Sequence, residues 1–162
     1  MMMSMQKFFI LWASLILLVG CAPMQYKINE SRLIIIKSPK LKYADLGYIR
    51  RNSDEVRVDL FVAGQAVESI EVDGLVCVNE GCLTKSGFNE EYLHPAYPDD
   101  LLKNVLLARP IFEKASIEET AEGFIQNLKS PEYNIIYKVL NGNIYFKDKK
   151  NRFLIKISKI KG

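Results

Sequence analysis

Histidine is almost missing from this sequence: His94 is the only one. Only three cysteines accompany it, at 21, 77 and 82. Zinc asks for four nitrogen, sulfur or oxygen ligands, so a His/Cys metal centre has too few donors here. No Gly-x-Ser-x-Gly elbow, Walker loop, His-Glu-x-x-His pair or dinucleotide fingerprint occurs. The acidic pairs Asp54-Glu55, Glu90-Glu91, Asp99-Asp100 and Glu118-Glu119 are sequence neighbours. Neighbours diverge by about 100° on a helix and point to opposite faces on a strand, so none forms an acid/base dyad. His94 lies between helix breakers, with no evident partner in sequence. These absences argue against an enzyme, and no cofactor is expected. Charge is also nearly balanced, at a net +3. No segment interleaves basic and aromatic residues, so nucleic acid is not an expected partner.

One long apolar run is present, Phe8 to Val19, with Lys7 the only charge before it. At 1.5 Å per residue it covers about 18 Å, short of the ~30 Å hydrocarbon core. A basic start followed by a short apolar stretch is the pattern of a secretory signal. The run ends at Leu18-Val19-Gly20-Cys21. This resembles the lipobox of bacterial lipoproteins. The resemblance implies a diacylglyceryl group on the Cys21 sulfur, cleavage before Cys21, and acylation of the new amine. Several acyl chains on one residue hold stably at a bilayer, where one holds only marginally. In the Gram-negative members, Asp after the cysteine favours the inner membrane. Ala22 occupies that position here, which implies an outer-membrane anchor with the domain on the periplasmic face.

Residues 1–20 are therefore expected to be a signal peptide, 21–31 a lipidated tether, and 32–162 a single periplasmic domain. With Cys21 lipidated, Cys77 and Cys82 remain. A pair this close in an oxidising compartment predicts a disulfide across a turn that Asn79 and Gly81 favour; a redox or metal pair is the alternative.

Strands are predicted at Arg32–Lys37, Leu41–Arg50, Glu55–Ala63, Ala66–Val72 and Leu75–Val78. Gly64-Gln65 and Asp73-Gly74 supply turns. Short helices are predicted at Ser86–Leu93 and Asp100–Ala108, broken by Pro95, Pro98 and Pro110. Ser116-Ile-Glu-Glu119 resembles a capping box, and Ile117, Ala121, Phe124, Ile125 and Leu128 fit a helical stripe. The reading favours a helix there, and Gly123 leaves a strand from 123 to 128 open. Tyr133–Leu140, Asn141-Gly142 and Ile144–Lys147 read as a hairpin, followed by a last strand at Arg152–Ile160. The expected class is α+β: an antiparallel, curved sheet with two or three helices packed on one face.

In element order the chain is similar to small outer-membrane lipoproteins of the LolA/LolB type. That resemblance implies a passive mechanism, uptake of acyl chains on an apolar concave face. The other expectation is a scaffold or assembly lipoprotein with an envelope protein partner, contacted through an exposed edge or through aromatics such as Phe88, Tyr92, Tyr97 and Phe112. The same aromatics are otherwise core. The lysines from Lys147 to Lys161 suit either anionic headgroups or the solvent face of an edge strand.

Overall fold

The computed structural model describes residues 26–62, 65–79 and 81–160. The signal segment, Cys21 and the Gly64 turn lie outside them.

Eleven strands form one antiparallel sheet. Six make an N-terminal meander: β1 (Ile28–Lys37), β2 (Lys42–Arg51), β3 (Val56–Val62), β4 (Gln65–Val72), β5 (Val76–Val78) and β6 (Gly81–Leu83). Five make a C-terminal one: β7 (Ile117–Thr120), β8 (Gly123–Lys129), β9 (Asn134–Leu140), β10 (Asn143–Asp148) and β11 (Phe153–Ser158). The first and last strands join the two, giving the order β6-β5-β4-β3-β2-β1-β11-β10-β9-β8-β7. At this seam Ile34 faces Ile157 and Ile36 faces Ile155, so one apolar row runs through the centre of the sheet. Among the described residues β6 and β7 are the two outermost strands, and both are short, which limits unwanted pairing at the ends of the sheet.

The segment between the edges carries α1 (Lys85–Tyr92), α2 (Leu101–Leu106) and a single turn at Phe112–Lys114. The Thr84 hydroxyl caps α1 by accepting from Gly87 N–H at 3.1 Å. In α2, Leu101, Leu102, Val105 and Leu106 are all buried. They join Ile34, Val58 and Ile70 from one wing and Ile135, Phe146 and Ile155 from the other in one hydrophobic core. The sheet therefore curls around the helical segment.

The α+β expectation fails: the described residues form one large antiparallel sheet with two short helices. The main reason lies at 117–128, which forms the β7–β8 hairpin rather than a helix. Gly123 has φ +145, and a Cβ there would sit 2.0 Å from Val139 O. Helix does not use that conformation, and β9 could not approach a side chain so closely. The residues before the hairpin are also unsuited to a helix start. Phe112, Glu113, Lys114 and Ser116 all have positive φ, so Ser116 caps nothing.

Two boundaries also shift. Ile28–Ser31, expected in the tether, belong to β1, and β11 is a central strand paired on both sides rather than an edge.

Candidate functional site: an apolar split in the sheet

β2 pairs with β1 along its whole length, Lys42 to Arg51. On its other side it pairs with β3 only from Gly47 to Arg51, against Leu60 to Val56. Beyond Gly47 and Leu60 the two strands part, and the β3–β4 register shifts between Leu60 and Phe61. Gly47 permits the last close approach: a Cβ there would lie 2.7 Å from both Asp59 O and Ile34 Cδ1.

Tyr43 bridges the parting. Its hydroxyl lies 2.6 Å from Leu46 O and 2.9 Å from Phe61 O, and accepts from Phe61 N–H at 3.0 Å. Burial raises this phenol above its ordinary pKa, so it stays protonated and able to donate. Leu46 N–H donates to Asp45 Oδ1 at 2.7 Å. Both backbone groups of Leu46 therefore point away from β1. Antiparallel ladders alternate, so Ala44, two residues back and opposite Ile35, also turns its N–H and C=O into the split. Among the described residues, the segment Lys42–Leu46 is a strand edge inside an otherwise paired sheet.

The surface beside that edge is apolar. Leu33 sits directly opposite Leu46 on the outer face. Leu46 is 49 % exposed, Tyr48 44 %, Val62 49 % and Ile160 48 %. Tyr48 and Phe61 meet edge to face at 5.6 Å. Small-molecule clefts generally run to about 300–1,000 Å³; here a groove of ≈ 630 Å³ is lined by Leu46, Tyr48, Phe61 and Ile160, with Asp45 and Ser31.

A charge ladder closes the paired end of the split. Asp59, 6 % exposed, accepts from Arg57 Nε at 2.8 Å, and Arg50 Nη2 lies 3.2 Å from its other oxygen. Arg57 also reaches Glu71 at 3.2 Å. These charges fix β2, β3 and β4 against one another below the parting.

Cys77 and Cys82 face each other across β5 and β6 and are joined by a disulfide. The bridge ties the edge hairpin beside a second cleft, ≈ 540 Å³, between Glu68, Cys82, Phe88, Glu91 and Tyr92. Lys40 Nζ stands at its side, 4.0 Å from Glu91 and 5.6 Å from the Tyr92 ring centre.

The remaining candidates are structural. His94 is half-buried, with Nδ1 accepting from Ala96 N–H at 3.2 Å. Phe88 and Tyr97 are core, and Tyr92 and Phe112 pack against it. Asp100 pairs with Lys85 and Asp54 with Arg109. Among the described residues no group of three or more His, Cys, Asp or Glu is arranged to hold a metal ion, and no helix is long and apolar enough to cross a membrane.

Sequence reasoning missed the split altogether. The one sequence signal is Gly47 inside an apolar strand, which marks a bulge or a close backbone approach; the Tyr43 bridge gives no sequence mark.

The fold and surface define an open antiparallel meander wrapped on a helical segment, carrying a strand-edge groove. No protein-family model, curated protein or solved structure matches the chain.

Proposed function

We propose that the protein is an outer-membrane lipoprotein, anchored through Cys21, whose domain is a non-enzymatic binding module for an envelope protein. The partner contributes an extended segment that adds as a strand beside Lys42–Leu46. Main-chain hydrogen bonds from Ala44 give affinity in this mode, and alternate apolar side chains seat on Leu46, Tyr48 and Phe61. The observation that carries the reading is the strand edge at the β2–β3 parting, flanked by exposed apolar side chains.

The acyl-carrier alternative fits the structure less well. The concave face already holds Leu101, Leu102, Val105 and Leu106. Each buried aliphatic side chain contributes about 1.5–3 kcal/mol. Displacing all four costs about 6–12 kcal/mol, comparable with the whole stability of a typical domain, 5–15 kcal/mol. An incoming acyl chain would have to offset that.

The test begins with a photo-crosslinking residue at Leu46 in the full chain in its native envelope. A defined protein adduct is expected. Ala44→Pro removes an N–H that β1 does not use, so thermal stability should hold while adduct yield falls at least tenfold. Unchanged yield in Ala44→Pro refutes strand addition. Near-stoichiometric lipid and no protein adduct would favour the acyl carrier. Intact mass of the mature chain checks the anchor: unmodified Cys21 refutes it.

A further inference from the structure

At the rim where β1 begins, the inner face of the sheet carries charge rather than core. Glu30 Oε2 accepts from Arg32 Nε at 3.0 Å and from Arg51 Nη2 at 3.1 Å, and also bonds Arg32 Nη2. Arg32 is 6 % exposed. Buried guanidinium N–H groups are normally satisfied, because an orphaned one costs the full loss of its hydration. Here, among the described residues, Arg32 Nη1 and Arg51 Nε are buried with no hydrogen-bond partner. Lys159 follows the last β1–β11 pair, Leu33↔Ser158, and its side-chain end lies toward Gly142 on the β10 side. Glu30, Arg32, Lys159 and Ile160 line an open cleft of ≈ 490 Å³. The hydrogen bond from Arg32, aided by Arg51, holds the Glu30 carboxyl below the usual carboxylate range despite burial. Two guanidiniums thus share one carboxylate, and two of their donors are left over.

We propose that this rim is an oxyanion site that takes a phosphate group. Arginine forks match tetrahedral phosphate by paired N–H donors, and Lys159, which lines the cleft with its end toward Gly142, is a flexible point charge that can swing onto the anion. Glu30 orients the forks, leaving Arg32 Nη1 in the cleft wall for the ligand, with Arg51 Nε a second unspent donor outside the cleft's lining residues. The phosphate comes either from a lipid headgroup or from a free anion. If Cys21 carries the anchor, as under Proposed function, only six residues separate it from Ile28. At most ~3.5 Å per residue, they reach about 20 Å, which keeps this rim within range of headgroups.

The test uses the full chain in zwitterionic detergent, titrated with inorganic phosphate at constant ionic strength. The readout is the Nε–H resonances of Arg32 and Arg51 in an arginine-labelled sample. Saturable shifts of both are expected, with affinity reduced several-fold in Lys159→Gln, an exposed position that leaves the fold intact. Arg32→Gln should abolish the shift; if that variant does not fold, Lys159→Gln and the direct resonances decide. A second titration uses short-chain phosphatidylglycerol below its micelle concentration. Tenfold tighter binding than inorganic phosphate assigns the site to a lipid headgroup; equal or weaker binding assigns it to a free anion. No shift of either arginine with either probe, or shifts unchanged by Lys159→Gln, overturns the proposal. Neither outcome depends on acylation of Cys21, so failure here is separable from failure of the anchor.

Discussion

Asp148→Asn should destabilise the domain by about 2–4 kcal/mol at neutral pH, and the loss should shrink in acid. Asp148 is fully buried. Its Oδ1 accepts from the backbone N–H of Asn134 (3.0 Å), Lys150 (2.9 Å) and Asn151 (3.3 Å). Its Oδ2 accepts from Tyr97 O–H (2.6 Å) and Asn151 Nδ2 (2.8 Å). One side chain therefore ties the β10–β11 turn to the start of β9 and fastens the helical segment to the sheet. An asparagine oxygen can keep the three backbone donors, but as a neutral acceptor, worth roughly 1 kcal/mol less per bond. Its NH₂ then faces the NH₂ of Asn151, stranding a donor at about 1–3 kcal/mol. Relief from burying a charge offsets part of this.

The pH dependence has a definite sign. Burial, the largest single influence, pushes the Asp148 carboxyl up. The hydrogen bonds from Tyr97, Asn134, Asn151 and Lys150 together outweigh it and hold the group below its ordinary value. A depressed folded pKa contributes stability that is fully present above the unfolded value of about 3.9 and is lost as pH falls through the folded one. The variant has no such proton to bind. Urea unfolding of both proteins at pH 7, 5, 4 and 3 measures the gap directly. A gap below about 0.5 kcal/mol at pH 7, or one that stays constant down to pH 3, refutes this account.

Glu113 is exposed, with φ 51 and ψ 37. Left-handed backbone costs a non-glycine residue about 1–2 kcal/mol, and glycine gives back about half through the unfolded chain. Glu113→Gly should therefore stabilise by about 0.5–1 kcal/mol in thermal unfolding; a fall in Tm counts against strain there. The Cys77–Cys82 bridge closes a six-residue loop, and loop-closure entropy assigns it about 2 kcal/mol. Replacing both cysteines with serine should lower the unfolding free energy by that amount. Because the bridge lies at a sheet edge, circular dichroism at 25 °C should be unchanged; loss of the fold would show that the edge hairpin nucleates more than itself.

What was legible in the sequence was local. Asn141-Gly142 adopts φ 51 and 74, the pair of positive values that a two-residue hairpin turn demands. Val56, Val58 and Leu60 are buried as their alternation requires. The cysteine pair meets because the turn at Asn79, with its positive φ, sets Cys77 opposite Cys82. What failed depended on distant partners. Phe124, Gln126 and Leu128 share the inner face of β8, but a glutamine in the middle hides the period. Gln126 is fully buried because its amide serves a strained turn 11 to 15 residues earlier: Oε1 accepts from Ile111 N–H, and Nε2 donates to the carbonyls of Ile111 and Ala115. A side chain chosen to satisfy another segment's backbone reads as a surface residue until that segment is placed. The rim arginines are the same case. Arg32 reads as the polar start of a strand, and its burial follows only from Glu30, Arg51 and the β11 seam.

The seam also determines how the domain must fold. Each meander is built from local hairpins, and such contacts form early because they close short loops. The pairing of β1 with β11 joins Leu33 to Ser158, a closure spanning almost the whole domain. Neither meander can bury its inner face alone. Val58 and Ile70 from one wing and Phe146 and Phe153 from the other share a single core with the residues of α2. Tyr97, which precedes α2, packs against Phe146 and Phe153 while bonding Asp148. Half a sheet would expose an apolar face that only the other half and the helical segment cover. The domain should therefore unfold as one unit despite its two-part topology. A chain ending before Phe153 lacks β11 and should show no slowly exchanging amides in β2–β4, although every hairpin contact among those strands is intact in its sequence. Persistent amide protection of Val58 and Ile70 in that truncated chain would mean that the N-terminal meander is a self-sufficient body and that the seam only docks two finished halves.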